Sequence, residues 1–407
     1  MSDFQQSGSV ATLHNLGTIA PEEMERQLNL FAGRRKITLI LPSLFSELEA
    51  PALDQIVDEL CKVGYINHIV IGLDRADESQ FRFAQDYFAR LPQQHSILWN
   101  DGPRLKAVQE RLASLGLAPE EPGKGRNVWY CMGYTLACQD SDVVALHDCD
   151  ITTYSCEMLM RLVYPLANPS FPYQFCKGYY PRIADGKLNG RVSRLLIAPL
   201  LQALQRTFGH SDYVEYLQAF RYPLAGEFAM RTSILPDIRI PSDWGLEIGV
   251  LSEVWRNLGR HSVCQVDICD RYDHKHQPLS AEDAARGLSR MSIDISKAIF
   301  RKLATDGMVF SQEHFRTLKA TYYRLALDLI ERYYNDAIMN GLHVDRHKEE
   351  KAVELFAANI VEAGHTFLEH PMETPFIANW SRVQSADPDV LRLLRESVIA
   401  DNAAVLS

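Results

Sequence analysis

Asp148 and Asp150 stand one residue apart in His147-Asp148-Cys149-Asp150, directly after the apolar run Val143 to Leu146. Two carboxylates on a strand-end turn offer hard oxygen ligands to a divalent cation such as Mg²⁺ or Mn²⁺. A cation held there keeps positions open for substrate phosphates and takes up charge as a diphosphate departs. The competing role for the same pair is to cap the helix expected to begin near Ser155. Asp-x-Asp also occurs at Asp140/Asp142 and Asp387/Asp389, but only the pair at 148 and 150 directly follows an apolar strand.

Other segments add groups of complementary chemistry. Gly123-Lys124-Gly125-Arg126 opens a helix, where free backbone N–H groups and the helix dipole favour an anion, and Lys124 adds a formal charge. Gly190, Arg191 and Ser193 begin another helix, and a guanidinium there is a good clamp for phosphate or carboxylate. For Ser193 the alternative is a simple capping role. His274 and His276 follow an apolar strand and are metal ligands or solvated loop residues. Glu227 and Glu247 also stand out. Glu247 lies inside an apolar pattern, so its carboxylate needs a polar partner.

The elements that must carry these groups are legible from periodicity. Continuous apolar runs at 36–42, 68–74, 96–100 and 142–148 read as buried strands, the first ending at Pro42. They alternate with helical patterns, which implies βαβ units and a mostly parallel α/β sheet. Ligands of such sheets bind beyond the carboxyl ends of the strands, where Asp148 and Asp150 sit. Residues 1–35 are expected to be an extension, partly flexible, with one short helix. Residues 36–280 form the expected catalytic domain, with a donor half at about 36–150 and an acceptor half at about 151–280. Residues 281–407 read as almost all helix.

The formal net charge of −10 argues against a general nucleic-acid binder, so an anionic substrate needs a local cluster of Arg and Lys. The eight cysteines include no C-x-x-C. Cys61, Cys131, Cys138, Cys176 and Cys264 lie in or near apolar runs, as expected for reduced, buried thiols of a cytosolic protein. No basic segment followed by an apolar one opens the chain, and no apolar stretch approaches the ~20 residues of a membrane span. The expectation is a cytoplasmic protein with no membrane partner.

Taken in order, Leu41-Pro42-Ser43-Leu44, "GKGRNVW", "HDCDI", "KGYY", "GRVSRLLIAPLLQAL", "PLAGEFAMR", "GLEIGVL" and "QVDI" followed by "HKHQPL" resemble the glucosyl-3-phosphoglycerate synthases. These are retaining glycosyltransferases of the GT-A fold, and the resemblance covers roughly residues 36–280. It implies a divalent metal, Mg²⁺ or Mn²⁺, on Asp150 and His274 together with Asp148. It implies that Pro42, Leu44, a nearby acid (Glu47), Lys124 and Asp148 hold the nucleotide-sugar donor. Gly190, Arg191, Ser193 and His276 would hold the acceptor. Glu247 would join Asp148 and Asp150 in the catalytic set, as an acid at the sugar pocket.

The implied reaction transfers glucose, from UDP-glucose first among donors, to 3-phosphoglycerate. The alternatives are a GDP-mannose-dependent or glycerate-accepting enzyme of this fold, or a non-catalytic scaffold that binds nucleotide sugars. A homodimer is expected, with the helical tail packed on the catalytic domain or building the dimer. The sequence departs from the family pattern at Phe45-Ser46, Ser193, Asp267 and His276, and in "GLDRAD" after the second strand.

Overall fold

The computed structural model describes residue 6 and residues 8–274, 287–371 and 376–403. In chain order its strands are β1 (Ala11–Leu13), β2 (Ile37–Leu44), β3 (His68–Asp74), β4 (Gln94–Trp99), β5 (Val143–Leu146), β6 (Phe175–Tyr179), β7 (Ile183–Ala184), β8 (Lys187–Leu188), β9 (Phe228–Arg231) and β10 (Val263–Asp267). The helices of the first part are α1 (Pro21–Ala32), α2 (Phe45–Leu48), α3 (Pro51–Leu60), α4 (Glu78–Phe88), α5 (Pro103–Ser114), α6 (Lys124–Cys138), α7 (Cys156–Ala167), α8 (Ala198–Phe208), α9 (Asp212–Ala219) and α10 (Leu246–Asn257). The C-terminal part holds α11 (Gly287–Thr305), α12 (Gln312–Met339), α13 (Arg346–Glu369), α14 (Trp380–Ala386) and α15 (Val390–Ala403).

Local chemistry starts several of these helices. Pro21, Pro51 and Pro103 occupy first-turn positions of α1, α3 and α5, where a missing N–H breaks no bond. Asp77 and Gln80 form a reciprocal capping box on α4.

One eight-stranded sheet runs β1-β10-β6-β9-β5-β2-β3-β4, and β7 and β8 make a separate hairpin. Every pairing in the large sheet is parallel except those of β9. β3 is buried along its whole length, which explains its unbroken apolar run. Strand β2 continues to Leu44, beyond the expected stop at Pro42. The β2–β5 ladder has already ended at Ile40, so the missing N–H of Pro42 costs no bond on that side.

From β2 the chain moves outward to β3 and β4, then crosses back to place β5 on the other side of β2. That reversal between β2 and β5 opens a crevice at the carboxyl edge. Because β9 is antiparallel, its start lies at the same edge, and so does Glu227 just before it.

The two terminal regions are integral to this architecture. Ala11–Leu13, within the segment expected to be partly flexible, pairs with β10 as the edge strand, and α1 packs on α7. At the far end, α15 packs on α5, α6 and β4. Asn402 bonds both the N–H and the C=O of Ile97, pairing backbone groups that an edge strand otherwise leaves open. The Trp380 ring stacks on Trp129 with centroids 4.1 Å apart, in a gap that Gly133 leaves. Among the described residues no helix is long and apolar enough to cross a membrane. All eight cysteines are free; Cys131, Cys149, Cys176 and Cys264 are buried, whereas Cys61, Cys138, Cys156 and Cys269 are only partly covered.

Candidate active site

The turn after β5 places Asp148 and Asp150 at the crevice. Asp148 fits because Gly226, just before Glu227, has no side chain: a Cβ there would stand 2.4 Å from Asp148 Oδ2. Lys124 is the first residue of α6, and Gly125 lets that turn pack against the backbone of Pro241 and Ser242. Its Nζ lies 2.7 Å from Asp148 Oδ1 and 3.2 Å from Glu247 Oε1. Lys124 is thus the polar partner that Glu247 requires. Burial disfavours the charge on each partner. Even so, mutual attraction holds Asp148 below the usual carboxylate range and Lys124 above the usual amine range.

A second tier lies beneath this pair. Glu227 is fully buried and accepts hydrogen bonds from Tyr180 and Tyr272, each at 2.6 Å. The two tyrosine rings stack 3.7 Å apart. Burial, and then the Asp148 charge, raise the Glu227 carboxyl above its ordinary value. Lys177 of β6 is 1% exposed, lies over the Phe228 ring and makes no hydrogen bond through Nζ among the described residues. Burial pushes its ammonium down to about 8, against the pull of Glu247 and Glu227. Lys177 and Tyr180 fall in the "KGYY" segment of the family resemblance, but the sequence assigned no role to them or to Tyr272. The only signal was that Lys177 interrupts an apolar strand.

His274 follows β10, and an isolated bridge to Ile151 ties it to the aspartate turn. Its Nδ1 lies 3.7 Å from Asp150 Oδ2, and Arg182 donates to Nε2 at 2.6 Å. Burial first, then the Asp148 carboxylate, push Asp150 up to about 7. Such a pair of crowded carboxylates, faced by an imidazole, fits a hard divalent cation that would neutralise it. With Nε2 accepting from Arg182, the neutral ring carries its proton on Nδ1. Ligation by His274 through Nδ1, the nitrogen that faces Asp150, therefore requires Arg182 to release Nε2 so that the ring proton moves there.

On the β2–β3 side of the crevice, Pro42 and Leu44 end β2, and Glu47 is buried in α2. Leu44 is in register with Asp74 of β3. Asp74 accepts from Asn100 at 2.8 Å and from Arg126 at 3.0 Å, in a buried network that sequence reasoning missed. Its signal was the one used for Asp148, a carboxylate ending an apolar strand. The next residue, Arg75, has φ +57°, so the chain turns sharply there.

Of the residues expected to hold the acceptor, Gly190, Arg191 and Ser193 share one segment. Gly190 has φ +75°, and a π-helical turn runs from Val192 to Ile197. The Ser193 hydroxyl is buried with no hydrogen-bond partner among the described residues, so the simple capping role is not seen. Arg191 pairs with Glu349 of α13, Nε to Oε1 at 3.1 Å. His276 lies outside the described residues.

No family model matches the chain. It is 42% identical over 403 residues to the glucosyl-3-phosphoglycerate synthase of Persephonella marina, covering 99% of this chain and 100% of the relative. It is 38% identical over 404 residues to the one from Methanococcoides burtonii, covering 98% of each. Among solved structures, it is similar to glucosyl-3-phosphoglycerate synthase from Mycobacterium tuberculosis in complex with Mn²⁺, UDP-glucose and phosphoglyceric acid. The TM-score is 0.54 at 21% identity, over 73% of this chain and 89% of that one. The strand-end carboxylates, the mostly parallel sheet and these near-full-length relatives converge: the chain belongs to the glucosyl-3-phosphoglycerate synthases, glycosyltransferases of the GT-A fold.

Proposed function

We propose that the protein transfers glucose from UDP-glucose to the hydroxyl of 3-phosphoglycerate with retention of anomeric configuration. Asp148, Asp150 and His274 would hold Mg²⁺ or Mn²⁺. The observation that carries this reading is the Lys124 ammonium bridging Asp148 and Glu247 at the carboxyl edge. It joins the proposed metal-binding turn to the acid assigned to the sugar pocket. The donor and metal found with the Mycobacterium tuberculosis enzyme support the same assignment.

In this reading Pro42, Leu44 and Glu47 line the nucleotide side. The divalent cation, when bound, neutralises the departing diphosphate. Lys124 gives up one of its carboxylate contacts to add a second positive charge there, a preorganised electrostatic contribution. Glu247 orients the hexose. Gly190, Arg191, Ser193 and His276 hold the acceptor in line, a proximity effect. The bond from the anomeric carbon to the leaving phosphate oxygen breaks as the bond to the acceptor oxygen forms. The acceptor proton passes to the leaving phosphate, so no side chain is assigned as nucleophile.

The test is a panel of UDP-, ADP- and GDP-glucose and GDP-mannose, each with 3-phosphoglycerate and with glycerate, read by mass spectrometry. A phosphorylated hexoside formed best from UDP-glucose supports the proposal. Preferential use of GDP-mannose or of glycerate replaces it.

A further inference from the structure

The segment that presents Arg191 is held by the C-terminal helices at several points. Between α12 and α13, the His343 N–H donates to Gly186 O at 2.8 Å, and His343 forms a bridge with Lys187 of the β7–β8 hairpin. Tyr322 of α12 donates to Leu195 O at 2.6 Å inside the π-helical turn. Arg194 lies against the Tyr333 ring and donates through Nε to Asn189 O. Glu349, in the first turn of α13 and only 3% exposed, accepts from both arginines: Arg194 Nη1 at 2.9 Å, Arg194 Nη2 at 3.2 Å and Arg191 Nε at 3.1 Å.

Two guanidinium groups face one carboxylate, so the cluster keeps a net positive charge. Arg194 is buried, and its three nitrogens are committed. Arg191 is 28% exposed and engages Glu349 through Nε alone. Its two terminal nitrogens make no other hydrogen bond among the described residues. That edge of a guanidinium binds phosphate oxygens in a bidentate fork. Gly190, with its positive φ, and the π-helical turn fix the backbone on either side of Arg191.

We propose that Glu349 is a positioning residue for the acceptor: it holds Arg191 by Nε and leaves the terminal nitrogens to bind the phosphate of 3-phosphoglycerate. This rests on the reading of Arg191 as the acceptor clamp. It gives the C-terminal helical region a role in the site through α13.

The test measures the KM for 3-phosphoglycerate and for UDP-glucose in full-length Arg191→Ala, Glu349→Gln, Glu349→Asp and the Arg191→Ala/Glu349→Gln double variant. Exchanging the charged acceptor for a neutral amide oxygen weakens the hydrogen bond to Arg191 Nε by about 1 kcal/mol, so Glu349→Gln is predicted to raise the acceptor KM about three- to tenfold. The donor KM stays unchanged, and the effect vanishes in the Arg191→Ala background. An unchanged acceptor KM, an equal rise for both substrates, or the same rise without Arg191 overturns the inference. Should Glu349→Gln fail to fold, Glu349→Asp carries the same comparison, since it keeps the charge and withdraws the carboxylate by one methylene. A normal acceptor KM in Arg191→Ala itself removes the clamp reading and the inference together. A raised one there with a normal one in the Glu349 variants removes the inference alone.

Discussion

Lys124 Nζ stands 2.7 Å from Asp148 Oδ1, so the first residue of α6 and the turn after β5 share one ion pair at the mouth of the sheet. The same ammonium reaches Glu247 of α10. Lys124→Met leaves the two carboxylates without their common cation and, in the proposed reaction, leaves the metal as the single positive neighbour of the departing diphosphate. Loss of one preorganised electrostatic partner predicts a fall in kcat of about a hundredfold or more. Steady-state kinetics with UDP-glucose and 3-phosphoglycerate check this; a kcat near that of the parent enzyme removes Lys124 from the chemistry.

Asp150→Ala removes an oxygen ligand from the proposed metal site. The expected result is near-complete loss of turnover without loss of thermal stability. In the folded protein burial and Asp148 already disfavour the ionised form, so little folding energy resides in it. Turnover and melting temperature measured together decide the matter. Retained activity, or an enzyme indifferent to chelator, contradicts the metal assignment.

Lys177 gives a pH-dependent prediction. Its ammonium titrates near 8 when folded, against 10.5 for a free lysine. Between those values the unfolded chain binds the proton and the folded chain does not, so stability rises with pH over that window and is lost as pH falls through it. Near pH 7 the folded protein carries a buried, unpaired charge. Lys177→Met should therefore raise the melting temperature at pH 7, with an advantage that shrinks as pH approaches 10. A variant destabilised at pH 7 would mean that the ammonium has a stabilising partner.

Trp380 tests the C-terminal tie. It is 1% exposed and stacked on Trp129. Its Nε1 donates to the Trp129 carbonyl at 3.1 Å. Trp380→Ala opens a cavity beside Gly133, and such truncations cost about 3–5 kcal/mol. Denaturant unfolding checks this. A loss well under 1 kcal/mol would show that α14 adds little to the fold.

The sequence carried the chemistry where residue type and local pattern coincide. Asp148 and Asp150 were visible because a carboxylate pair ends an apolar run, and Lys124 because a glycine-rich turn precedes a helix. Asp74 had the same strand-end pattern but no second acid beside it. β1 was illegible because three residues, Ala11 to Leu13, give no period; their strand conformation comes from pairing with β10. Glu349 lies 158 residues from Arg191, and on α13 it reads as one more charge on an amphipathic helix. Its pairing is a tertiary fact. Arg191 illustrates the same limit, because its partner is this distant buried acid.

The proposed reaction is tested most directly by nuclear magnetic resonance of the product made from UDP-glucose labelled with ¹³C at the anomeric carbon, with 3-phosphoglycerate and Mg²⁺. A retaining transfer yields a single α-linked glucosyl-3-phosphoglycerate, formed in step with UDP. A β-linked product, or labelled free glucose with the 3-phosphoglycerate unconsumed, would contradict it.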